Sequence, residues 1–154
     1  MRYIWIVLSV MLFAPLSAQS IEYQWQNAEG EVVTLASLQN KPVILHFWAS
    51  WCPPCRTEMP AMDQWVKAHP NVHVVMISLD NDQKDAQSFY AAKGIQAPLN
   101  MGSMRHTSRL GVRGLPTTII IDQQGEVSQR HMGNLHWADE AASQKVLGWL
   151  KFTD

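Results

Sequence analysis

Cysteine is nearly missing from this chain. Only Cys52 and Cys55 are present among 154 residues, which excludes a disulfide-stapled scaffold and a four-cysteine zinc site. Charge is sparse as well: 16% of residues are charged and the net charge is -1, so there is no basic surface for nucleic acid and no bulk electrostatic partner. Nor does any apolar run reach the roughly 20 residues that a membrane-spanning helix needs. The sequence holds no internal repeat, low-complexity tract or linker. A single domain of this length buries about two-thirds of its unfolded surface without help from disulfides or metals.

What is there begins with a separate segment. Arg2 precedes a stretch from Tyr3 to Ala14 that is apolar except for Ser9, and Pro15 with small residues through Ser20 follows, the layout of a secretory signal. Residues 1–20 are therefore expected to be an export signal cleaved near Ala18 to Ser20. An uncleaved membrane anchor is the alternative, because a single basic residue flanks the run. No cysteine follows the run, so a lipid anchor is excluded. Residues 21–154 then form the globular domain in an oxidising compartment, the periplasm, where a dithiol stays reduced only if something supplies electrons.

The two cysteines stand in Trp51-Cys52-Pro53-Pro54-Cys55, and that spacing carries most of the function. Two thiols at Cys-x-x-Cys, after a hydrophobic strand and at the start of a helix, read as a redox dithiol. A stabilising bridge is the bland alternative, yet a ring of about four residues removes little chain entropy, roughly 2 kcal/mol against nearly 5 for about 100 residues. Zinc is another: no second cysteine pair exists to complete a site, although His131 and His136 have ligand spacing, as do His69 and His73.

Around this motif the pattern predicts alternating strands and helices. Ile21 to Gln26 and Val32 to Leu35 flank the turn signal Asn27-Ala28-Glu29-Gly30 and predict an opening hairpin, with a short helical turn from Ser37. Pro42 to Trp48 is apolar except for His46, as in a strand buried on both faces. From Pro54 a helix presents Met59, Met62 and Val66 on one face, leaves Arg56, Asp63 and Lys67 on its polar side, and should kink at Pro60. Val72 to Leu79 predicts a second buried strand, Gln83 to Lys93 a helix ended by Gly94, Ala97 to Met101 an edge strand and Met104 to Gly111 a short helix. Thr117 to Asp122 and Glu126 to Met132 predict a hairpin, and a last helix from about Trp137 to Lys151 turns Trp137, Ala141 and Leu147 inward. The order βαβ then ββα describes a central mixed sheet with helices on both faces.

The stretch Phe47-Trp48-Ala49-Ser50-Trp51-Cys52-Pro53-Pro54-Cys55 with Glu58 and Pro60, and the distant Gly114-Leu115-Pro116-Thr117-Thr118 with Ile121-Asp122 and Gly125, resemble the TlpA/ResA-like thiol-disulfide oxidoreductases of the thioredoxin superfamily. The resemblance covers nearly all of residues 21–154 and implies a thioredoxin-like α/β fold. Cys52, at a helix N-terminus that favours thiolate, is expected to be the attacking sulfur. Cys55 would then resolve the mixed disulfide between Cys52 and a partner protein. Glu58, three residues on along the same helix face, is the candidate base for the Cys55 proton, as the resemblance also implies; an ordinary first-turn acid is the alternative. His46 departs from the asparagine more frequent in relatives, and a hydrogen-bonded core histidine is favoured over proton transfer there. The resemblance implies a cis peptide before Pro116, leaving the Leu115 backbone free for an extended substrate strand. Trp51 would shape the docking surface, with Trp48 either beside it or in the core.

The expected substrates are disulfide-containing or dithiol proteins, with a membrane thiol-disulfide reductase as electron donor and no cofactor, metal or nucleic acid. Cytochrome c maturation is the process the resemblance implies, with the dithiol acting as a reductant because Pro53 and Pro54 bring neither N–H nor charge to stabilise a Cys52 thiolate. Three other functions compete. A thiol peroxidase would want Thr or Ser at position 49, where Ala49 stands. A copper chaperone would draw a third ligand from His131 or His136, but usually spaces its cysteines more widely. A redox-inert binding module is disfavoured by the two intact cysteines.

Overall fold

A computed structural model of the chain describes residues 22–38 and 40–151. The expected export segment therefore lies outside the described residues. The chain opens with an antiparallel hairpin of β1 (Gln24–Gln26) and β2 (Val32–Thr34), as its turn chemistry predicts. Asn27 Oδ1 accepts the Glu29 and Glu31 amides, and Gly30 takes the positive φ of 81° that closes the turn. A 3-10 turn, Leu35–Leu38, leads into β3 (Val43–Trp48). Next come α1 (Pro53–Ala68), β4 (His73–Ser78), α2 (Gln83–Lys93) and β5 (Asn100–Met101). The rest of the chain is α3 (Met104–Thr107), a 3-10 turn, β6 (Thr117–Ile121), β7 (Val127–Met132) and α4 (Glu140–Lys151).

The strands form one mixed sheet in the order β2-β1-β5-β4-β3-β6-β7. β3 runs parallel to β4 and antiparallel to β6, so the strand that leads to the cysteines is central and every residue in it is buried. Its alternation divides the core. Ile44 and Trp48 join the layer beneath α1, α2 and α4, whereas Val43, Leu45 and Phe47 pack on the other face with Tyr23, Leu110 and Ile119. At full burial each such aliphatic or aromatic side chain contributes about 1.5–3 kcal/mol.

Three expectations are corrected. β5 is not an edge strand: β1 pairs with it, so the N-terminal hairpin covers that side of the sheet. Asp63 is buried instead of lying on a solvated face, because its carboxylate accepts the Gln96 and Ala97 amides at 3.1 and 2.9 Å and meets Lys67 at 2.7 Å. α4 begins at Glu140, with Trp137 buried from the preceding loop; Ser143 and Val146 are its buried residues, Leu147 packs half-buried on the core as expected, and Ala141 is exposed. α1 continues through Pro60 to Ala68 as one helix, which leaves the expected kink there untested. Elsewhere the fold depends on one close approach: a Cβ on Gly102 would stand 2.6 Å from both Ile77 and the Tyr23 hydroxyl, so no larger residue fits where the chain leaves β5.

Candidate active site

β3 carries the chain to the redox motif at the carboxyl end of the sheet, where ligands and chemistry collect in open α/β folds. Cys52 is the N-cap of α1, with φ -90° and ψ 109°, and prolines occupy the next two positions. Proline suits them because the first helical N–H groups have no intrahelical acceptor. The Cys55 amide donates to Cys52 Sγ at 3.3 Å, and the two cysteines are joined in a disulfide. Cys52 is 4% exposed and Cys55 wholly buried. Just ahead of them Ser50 is held from two sides. Asp80 accepts its amide at 3.0 Å and its hydroxyl at 2.8 Å, while Arg56 on α1 donates to its carbonyl at 2.9 Å.

Glu58 lies one turn beyond Cys55 and is also buried. Its Oε2 accepts the Leu135 amide at 2.9 Å. Its Oε1 faces His46 Nε2 at 3.1 Å, close enough for charge contact but off the line of a hydrogen bond. His46 is fully buried, and its Nδ1 lies 3.0 Å from the Thr118 hydroxyl on β6. Trp137 stands edge-on to the imidazole, ring centres 6.0 Å apart.

On the flank, the Leu115–Pro116 peptide is cis. Pairing of Phe47 with Thr117 holds this loop against the end of β3, and Leu115 packs on the core cluster that contains both cysteines. The Pro116 carbonyl accepts the Gly133 amide at 2.9 Å, but the Leu115 backbone makes no hydrogen bond among the described residues. Trp51 is 59% exposed. Trp48 is not: it is buried against Phe89 and stacked on Tyr90, and so belongs to the core. His131 packs near Trp149, His136 is exposed, and no cluster of three His, Cys, Asp or Glu among the described residues could hold a metal ion.

The model of the AhpC/TSA family matches residues 16–130. A ResA thiol-disulfide oxidoreductase of Halalkalibacterium halodurans is 30% identical over 120 residues, covering 76% of this chain and 68% of the relative. The chain belongs to the AhpC/TSA family, as a thiol-disulfide oxidoreductase. Its fold is thioredoxin-like, as two solved structures show. A thioredoxin-family thiol:disulfide interchange protein of Chlorobium tepidum is 28% identical with a TM-score of 0.65, over 84% of this chain and 95% of that one. A secreted disulfide oxidoreductase of Mycobacterium tuberculosis is 25% identical with a TM-score of 0.66, over 86% and 97%.

Sequence reasoning finds Cys52, Cys55, Glu58 and His46 one by one. It misses that the last two face each other, and it misses Thr118, Asp80 and the Leu135 amide. Thr118 leaves one signal, a hydroxyl that with Thr117 opens a buried strand otherwise made of isoleucine. A backbone amide leaves none.

Proposed function

We propose that this oxidoreductase is an exported reductant of protein disulfides, with Cys52 as nucleophile, Cys55 as resolving thiol and Glu58 as acceptor of the Cys55 proton. The observation that carries the reading is the asymmetry of the pair. Cys52 caps the helix, where free amides and the dipole favour a thiolate, while Cys55 is sealed one turn inside and the buried Glu58 follows one turn further along the same helix. In the reduced state Cys52 attacks a partner disulfide, and Cys55 then displaces the partner sulfur and closes the Cys52–Cys55 bond. Trp51 and the unpaired backbone of Leu115 beside Pro116 would receive an extended segment of the partner, main chain to main chain. Export is supported by the signal-like residues 1–20 and by the likeness to a secreted disulfide oxidoreductase. No helix among the described residues is long and apolar enough to cross a membrane. A membrane reductase would return electrons to the site, and cytochrome c maturation is the process in which such a reductant fits.

Cys52→Ser should abolish reduction of insulin disulfides, whereas Cys55→Ser should accumulate mixed disulfides that survive in non-reducing gels. Turnover retained by Cys52→Ser, together with loss of adducts in Cys55→Ser, would reverse the two roles.

A further inference from the structure

We propose that His46 is a positioning residue for the resolving step: its imidazole, fixed by Thr118, holds Glu58 so that Oε1 is the open acceptor for the Cys55 proton. This rests on the dithiol reading above. The pair lies on the sheet face beneath α1, where no side chain can borrow a partner from solvent, so its protons can be counted.

The Thr118 hydroxyl lies 3.0 Å from His46 Nδ1, and in the neutral tautomer of this proposal it donates to that nitrogen. The ring proton then sits on Nε2, which stands 3.1 Å from Glu58 Oε1 without being aligned on it. Oε2 is committed to the Leu135 amide at 2.9 Å. Oε1 is opposed by the imidazole yet lacks an aligned donor, so it keeps a lone pair for a new proton. An isolated carboxylate here would be costly to bury, and the imidazole and amide dipoles offset that cost. Thr118 and Met76 are the strand neighbours of His46, and Trp137 covers its ring; none of these titrates, so Glu58 is the ionisable group that faces it.

The step balances. The Cys55 S–H bond breaks and its proton passes to Glu58 Oε1. The Cys55 sulfur bonds to Cys52 Sγ as the bond from Cys52 to the partner sulfur breaks, and the partner thiolate leaves with the electron pair and takes a proton from solvent. The dithiol is oxidised by two electrons and the partner reduced by two. The His46–Glu58 pair gains one proton and goes from net negative to neutral without His46 touching either sulfur.

Stopped-flow kinetics on the full chain with a disulfide-bonded model peptide tests this, with attack and resolution read separately. His46→Asn can still meet Thr118 but is too short to reach Glu58, while His46→Gln can present an amide N–H toward Oε1. Expected are a resolution rate lowered roughly tenfold in His46→Asn, short of the 10²- to 10⁴-fold typical of losing a general base, and substantial recovery in His46→Gln. Attack by Cys52 should stay within about twofold, and Glu58→Gln should slow resolution more than either. Resolution unchanged in both His46 variants, with Glu58→Gln still slow, would overturn the proposal and leave the base intact. Resolution unchanged in Glu58→Gln would remove both. If neither His46 variant folds, the ring ¹⁵N signals of the wild-type reduced protein decide: a proton on Nε2 and none on Nδ1 supports the proposal, and the opposite tautomer overturns it.

Discussion

Ser50 shows how much a single residue near the cysteines is asked to do. Its amide and hydroxyl are held by Asp80, whose carboxylate also accepts the Ser78 hydroxyl at 2.7 Å, and its carbonyl is held by Arg56. Removing a buried acceptor strands its donors at about 1–3 kcal/mol. Asp80→Ala should therefore lower the melting temperature by about 3–10 °C for a domain of this size, and calorimetry finding less than a degree would show that water replaces the carboxylate. At this scale sequence served the chemistry unevenly. Cys52 and Cys55 are legible because their chemistry follows from their spacing along the chain. Asp80 is not, since nothing in a loop acid after a strand says that it reaches back 30 positions to Ser50. The same holds for His46 and Glu58, each visible alone as a polar residue in apolar company but paired only by the packing of α1 on β3.

Among the elements, α1 is tied to the segment before β5 through Asp63. Burial alone would push the Asp63 carboxyl up, but the Lys67 ammonium and the amides of Ala97 and Gln96 outweigh it and hold the group below its usual value. A folded-state value below the unfolded one gives stability that is whole above the ordinary aspartate pKa of about 3.9 and is lost as pH falls through the lower folded value. Urea melts from about pH 7 to pH 2.5 should show this acid loss in the wild type. Asp63→Asn should be less stable at neutrality and have a flatter acid limb; an unaltered limb would mean that the loss comes from other carboxylates. The helical pattern puts Asp63 among polar residues, which is right for its contact with Lys67 four residues on and silent about amides more than thirty residues away. Likewise Trp137 reads as the first inward residue of α4, although it packs from a loop. Existence and type of elements were legible from periodicity; their neighbours, as with β5 between β1 and β4, depend on pairings that periodicity does not encode.

For the molecule as a whole the redox poise follows from what surrounds Cys52. A strongly oxidising dithiol needs an unusually stabilised thiolate. Here Pro53 and Pro54 bring no N–H, and the Cys55 amide at 3.3 Å is the donor that reaches the sulfur. Equilibration of the protein with a glutathione buffer should place its midpoint on the negative side of roughly -200 mV, and a value near about -120 mV would overturn the direction of electron flow proposed above.

The indole that stands over His46 also leans on a second one: Trp137 and Trp65 have ring centres 5.1 Å apart, and Trp65 is in turn stacked on His69. Both indoles belong to the buried cluster that also holds Cys52 and Cys55, so the aromatic stack ties the loop before α4, the far end of α1 and the redox pair into one packed layer, and a change in the packing of any of them is felt by the same two rings.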